Sequence, residues 1–241
     1  MTRRFGFAAL LFLVSLAPLS SLLVLAAHAG AAGQTATAGP ALAPDKGKFR
    51  ILVGGQPAGK EEFEISQNGA EWIARGSSNV EAKEAGATRV TALLRLKADG
   101  TPLHYEWATE GGKKAAANVD FSSGTATIDL RLEGAKPFTQ QFFFNTPRVV
   151  ILDNNLFHHY AILARLYDWE KKGTQTFSVL VPQAMTPGSV TVEYGGPAPA
   201  GNAKYEMLRV RTEDLELDLY LDNQRLMRIV SSTANAEAIR E

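Results

Sequence analysis

An all-β chain with a single helix is what the sequence predicts, and three observations carry that expectation. Beyond Phe49, apolar and polar residues alternate in run after run. Gly, Asn, Asp and Ser break those runs at short intervals. One stretch around residue 160 abandons the alternation for helical spacing. Period two puts one face of a strand on a core and the other in water, whereas a period near 3.6 marks a helix.

The strand runs are specific. Phe49, Ile51 and Val53 alternate with Arg50 and Leu52. Ala126, Ile128, Leu130 and Leu132 alternate with Thr127, Asp129 and Arg131. Val190, Val192 and Tyr194 form a third set, and Leu215, Leu217, Leu219 and Leu221 a fourth. Turn chemistry at 98–101 (ADGT), 110–112 (EGG), 122–125 (SSGT) and 222–224 (DNQ) fits tight antiparallel hairpins. The Gly- and Pro-rich GGPAPAGN from Gly195 to Asn202 reads as a long hairpin loop. These patterns amount to roughly a dozen strands, and a sheet that large curls or closes on itself. Consecutive hairpins make it an antiparallel meander, curled into a barrel or half-barrel.

The helix is expected from Leu156 to about Trp169, a stretch with neither Gly nor Pro. Leu156, Tyr160, Leu163 and Tyr167 share one face, and Phe157, Ala161 and Ala164 widen it. So broad an apolar arc needs a large apolar surface, which the concave face of the sheet supplies. Asp153, Asn154 and Asn155 precede the helix and are each suited to cap its first turn.

Ahead of the strands, Arg3 and Arg4 lead into an apolar run from Phe5 to Ala26, followed by Ala27-His28-Ala29. A basic start, an apolar middle and a small-x-small end together form the pattern of an export signal. Retention as a membrane anchor is the alternative, because the run could span a bilayer; Pro18 and the cleavage pattern favour removal. No Cys follows the run, which excludes a lipid-anchored lipoprotein. The domain organisation is therefore a signal peptide at 1–29, a flexible leader of Ala, Gly, Thr and Pro at 30–48, and a single β-rich domain at 49–241.

Charge narrows the function classes. The whole chain carries 25 Lys and Arg against 25 Asp and Glu; losing Arg3 and Arg4 with the signal leaves 23 against 25, a net charge of −2. Nothing in that balance favours nucleic acid or an anionic membrane surface. With no Cys at all, an exported chain has no disulfides and depends on its core.

Residues 153–160, DNNLFHHY, hold two of the four histidines beside an acid and two amides. Adjacent helical residues point about 100° apart, so His158 and His159 cannot share a metal from one helix face. A metal-binding helix spaces its histidines i and i+4, where this chain has Ile162 and Leu163. A metal site would need one histidine, Asp153 and a distant ligand such as His104. The simpler reading is a capped helix with two polar side chains at a barrel mouth. GGQPAG at 54–59 lacks the Gly-Lys-Ser/Thr of a phosphate loop and reads as a turn, and no G-x-S-x-G elbow is present. The acid pairs Glu61-Glu62 and Asp214/Glu216 read as solvent-facing strand positions. Phe138, Phe142 and Phe144 share a strand face and read as core or as the wall of an apolar cavity.

The element order carries a resemblance. FRILVGGQPAGKEEFEI opens the domain, a DGTPLHYEW turn follows, the helix comes after VVILDNNLFHHY, and DLYLDNQRLMRI closes the chain. In this it resembles exported bacterial β-rich proteins of unknown function in the manner of the DUF3108 group. More distantly it is similar to LolA/LolB-like half-barrels, which carry lipids or lipid-modified proteins across the periplasm. The resemblance implies no catalytic residue and no cofactor.

The expected function is that of an exported, periplasmic or secreted binding protein without enzymatic activity. It would hold an apolar, lipid-like or amphipathic ligand between helix and sheet, with no membrane span in the mature chain. Phe142, Phe144, Tyr160 and Leu163 would form the walls, with Asn155, His158 and His159 near the opening. Two alternatives are a hydrolase using His158 or His159 with Asp153, with or without a metal, and a structural envelope assembly module whose sheet edge pairs with a partner strand.

Overall fold

The computed structural model describes residues 42–82, 86–111, 114–200 and 203–241. The expected signal peptide and most of the leader lie outside them. Fifteen strands form one sheet: β1 (Asp45–Val53), β2 (Gln56–Asn68), β3 (Glu71–Ala82), β4 (Gly86–Lys97), β5 (Pro102–Glu110), β6 (Ala115–Ser122), β7 (Thr125–Leu132), β8 (Phe138–Phe143) and β9 (Val149–Ile151) precede the helix α1 (His158–Leu166). After it come β10 (Gln175–Val181), β11 (Thr186–Ala200), β12 (Ala203–Arg211), β13 (Glu216–Asp222), β14 (Arg225–Ser231) and β15 (Ala236–Arg240).

The spatial order is β8-β7-β6-β5-β4-β3-β2-β1-β15-β14-β13-β12-β11-β10-β9. Two meanders thus meet where the first strand pairs with the last, Ile51 opposite Ala238. All pairings are antiparallel except β9 with β10. The sheet is curled, with α1 packed against it, as expected, and of the two forms left open by the sequence it takes the open one. Its two ends differ: β9 is buried at all three residues and packs against β5, while β8 is an outer edge.

Turn chemistry explains much of the meander. Gly54-Gly55, Ser123-Gly124 and Asn223-Gln224 all take positive φ at both central positions, the geometry that matches strand twist in a two-residue hairpin. GGPAPAGN corrects the sequence expectation, because most of it extends β11. Pro197 and Pro199 face Glu206 and Lys204 of β12, with a bulge between Tyr194 and Gly196. Strand β10 pairs with β11 only as far as Val192, so both prolines lie where β11 is an edge and no ladder hydrogen bond is lost. At the other end of the domain, β1 begins at Asp45, ahead of Phe49. Arg240 anchors that start, its Nη2 donating to Asp45 at 2.6 Å, and its guanidinium lies over the Phe63 ring.

The helix is shorter than expected at both ends. Its N-cap is Phe157, and no cap side chain bonds to the first turn, so none of Asp153, Asn154 and Asn155 fills the role predicted for it. At the other end Tyr167 is extended, and the chain turns under Trp169, whose indole Nε1 donates to Ala164 O at 2.9 Å. The buried side of α1 carries His158, His159, Ala161, Ile162, Leu163 and Ala164. Among the described residues no helix is long and apolar enough to cross a membrane.

Candidate functional site

Two features meet at the start of α1: a sealed polar cluster beneath the helix and an apolar cleft beside it. The cluster begins with Glu61. In β2 this residue is in phase with Phe63 and Ile65, so the pleat turns its carboxyl inward with theirs, and it is fully buried. Its Oε2 accepts the backbone N–H groups of Phe157 at 2.9 Å and His158 at 3.2 Å. Its Oε1 lies 2.6 Å from His158 Nδ1, with one proton between them. A strand residue 97 positions earlier in the chain therefore caps the helix in place of the local acid and amides.

His158 stacks on Phe63 with ring centroids 5.8 Å apart, and Gly76 of β3 gives it room. A Cβ on Gly76 would lie 2.3 Å from His158 Cε1. Gly76→Ala is accordingly expected to lower stability by about 1–3 kcal/mol through overpacking. Gly188→Ala, whose Cβ would meet only Val179 Cγ2 at 3.9 Å, is expected to be near neutral. Urea unfolding of the two variants checks this, and equal midpoints would sink the idea that Gly76 makes space for the ring.

His159 is held from the other side. Its Nδ1 accepts the Asp153 backbone N–H at 3.1 Å, so the neutral ring carries its proton on Nε2. Asp153 Oδ2 accepts the Tyr105 hydroxyl at 2.7 Å, and its Oδ1 accepts backbone N–H groups of Asn154 and Gln183. Burial pushes the Asp153 carboxyl up to about 6, against the lowering effect of these hydrogen bonds. Burial, and then the neighbouring His158, hold His159 well below the usual histidine range. Burial and Asp153 push the Tyr105 phenol well up.

Both histidines are fully buried, which corrects the expectation of polar side chains at a mouth. The expected solvent exposure holds for Glu62 and fails for Glu61. Neither histidine Nε2 has a hydrogen-bond partner among the described residues, nor does the Ser78 hydroxyl, although Ser78 sits across the ladder from Glu61. A carboxylate-oriented histidine is part of what acid–base chemistry needs. Here that pair is enclosed, and it ties helix to sheet. No group of three or more His, Cys, Asp or Glu able to hold a metal occurs among the described residues. His104, the distant ligand considered from sequence, pairs with Asp120 at 2.7 Å instead.

The cleft is a volume of about 300 Å³ between α1 and the β10–β15 half of the sheet. Leu156, Val179, Val190, Val210, Leu217 and Ile229 are among its walls. Asp153, at the border with the polar cluster, and Asn155, Thr212, Asp214, Ser231 and Glu237 contribute polar groups, and no Lys or Arg lines it. Of the residues expected at a ligand site, Asn155 and Tyr160 line this cleft. Leu163 is in the core; Phe142 and Phe144 pack partly buried near the far β8 edge; His158 and His159 belong to the sealed cluster. Phe138, grouped with the interior aromatics from sequence, is 52% exposed.

No family model matches the chain, and no curated protein matches it in sequence. Among solved structures it is similar to a β-barrel-like protein of the domain of unknown function DUF1849 from Brucella abortus, at TM-score 0.54 and 11% identity, covering 82% of this chain and 94% of that one. It also matches a DUF1089 family protein from Pseudomonas aeruginosa at TM-score 0.44 and 12% identity, over 69% of this chain and 87% of that one. The first likeness shows a shared β-barrel-like fold at that level of identity.

Proposed function

We propose that the protein is an exported envelope protein that binds one apolar or amphipathic molecule in the cleft beside α1. The observation that carries this is the cleft itself: a mostly apolar hollow, flanked by polar groups, left between the helix and a curled sheet. A volume of about 300 Å³ is at the lower end for small-molecule sites, which favours a single chain or ring system over a two-chain lipid. The acidic and uncharged polar lining favours a neutral or cationic polar end over an anionic one. Cleavage of residues 1–29 and a periplasmic destination belong to the same proposal. So does the likeness to the DUF3108 group and to LolA/LolB half-barrels, which supports a carrier role.

Ala234 lines the cleft from the turn between β14 and β15, outside the main core. Wild-type protein is expected to raise the fluorescence of N-phenyl-1-naphthylamine, and Ala234→Trp to weaken that binding by about tenfold by filling the hollow. Thermal unfolding of the variant serves as the folding control. Absence of binding by wild type, or equal binding by a folded Ala234→Trp, would count against the proposal.

A further inference from the structure

The β8 edge is an exposed apolar strand edge left uncovered among the described residues, and unlike the free end of β11 it carries no proline. Phe138 is 52% and Phe143 78% exposed. From Pro137 to Pro147 there is no charged residue, although strand edges are ordinarily protected by charge, proline or a covering element. The opposite edge, β9, is buried against β5 and offers nothing to a partner.

Hydrogen bonding shows which backbone groups point outward. Phe144 N donates to Gly124 O at 2.7 Å, and the β7–β8 register runs on from that pair through Phe142 opposite Ala126 to Phe138 opposite Leu130. Backbone direction alternates along an antiparallel strand, so the even-numbered residues bond to β7 and the groups of Thr139, Gln141 and Phe143 face away from it. The Gln140 side chain confirms the direction, reaching the outward Gln141 carbonyl at 3.0 Å.

We propose that β8 pairs antiparallel with β8 of a second copy of this chain, about a two-fold axis at Gln141. Centring on Gln141, the middle one of the three outward-bonding residues, lets all three pair within β8, whereas a centre on Gln140 or Phe142 would set one of them opposite Pro137 or Asn145. Thr139 then exchanges backbone hydrogen bonds with Phe143 of the second copy, and Gln141 with its own equivalent. On the inner face Phe138 meets Phe144 of the second copy, covering an exposed ring. No like charges meet, because the strand has none. Because the same edge serves both copies, the pair is isologous and closes at two.

The chain has no cysteine, so a single introduced thiol reads the axis directly. Opposed Cα atoms in a hydrogen-bonded pair lie about 5.5 Å apart, within disulfide reach. Full-length Gln141→Cys is expected to oxidise to a covalent dimer, while Gln67→Cys, exposed at the end of β2, is not. Gln141→Lys would set two ammonium groups against each other and weaken dimerisation at least about tenfold in sedimentation experiments, with unchanged thermal unfolding. A wild-type monomer at every concentration, a higher polymer, or equal cross-linking at positions 67 and 141 would overturn the proposal.

Discussion

Replacing Glu61 with Ala is expected to be the most damaging single substitution at the helix. The Glu61 carboxyl serves the part-buried Phe157 N–H and the buried His158 N–H and imidazole. Removing it leaves three polar groups without a partner in an apolar interior. Breaking a buried, hydrogen-bonded pair from one side costs about 3–5 kcal/mol. In a domain of this size that corresponds to a fall in Tm of about 10 °C. Glu61→Gln keeps an acceptor and should lose less, because its amide can still serve the backbone groups. Glu62→Ala next door removes only an exposed pair with Lys48 and should be near neutral. Thermal unfolding of the three variants checks the order. If Glu61→Ala and Glu62→Ala melt together, the cap from β2 does not hold the helix.

Glu61 also shows where sequence reasoning stops. The signal was present: KEEFEI places Glu61 two residues before Phe63 and four before Ile65, on the face those residues bury. An acid beside another acid is usually in water, and only a partner 97 residues away reverses that expectation. Local sequence cannot show a partner at that distance. The same limit explains the helix start. Asp153 has the chemistry of an N-cap, yet Tyr105, Asn154 and Gln183 occupy its carboxyl, and they are brought there by β5 and by the chain following β10.

The strands were legible because each run encodes its own burial. Leu217, Leu219 and Leu221 are buried while Glu216 and Asp222 are exposed, as period two requires. GGPAPAGN was misread because Gly and Pro mark turns only where the ladder needs the missing N–H; on an edge they extend a strand. Closure was not legible either, since an open curl and a closed barrel share one alternation. The cleft was read in outline. A broad apolar helix against a concave sheet is visible in the sequence, and two residues named from it, Asn155 and Tyr160, line the hollow. The remaining walls come from β10–β15, which no local pattern distinguishes from core.

The sealed cluster should also show itself in the pH dependence of stability, through two slopes of opposite sign. Asp153 has an ordinary value of 3.8 and is pushed up to about 6 in the fold. Between those values the native state keeps a proton that the unfolded chain has released. Stability from this group therefore falls as pH rises through the window, by about 3 kcal/mol in all. His159 has an ordinary value of 6.5 and is held well below it. Below 6.5 the unfolded chain takes up a proton that the native ring refuses, so stability from this group falls as pH falls. Between pH 3.8 and about 6 the two slopes oppose each other in wild type. Asp153→Asn is close to isosteric and leaves only the histidine slope, so this variant should lose stability on acidification by about 1.4 kcal/mol per pH unit. His159→Asn keeps an acceptor near the Asp153 N–H and leaves only the carboxyl slope, so it should gain stability over the same range. Glu61, His158 and Tyr105 face the pair and are retained in all three proteins. Urea midpoints across that range test this. Parallel curves would mean that neither group titrates differently on folding, whereas divergence in the stated directions requires both to be neutral in the native state over that range.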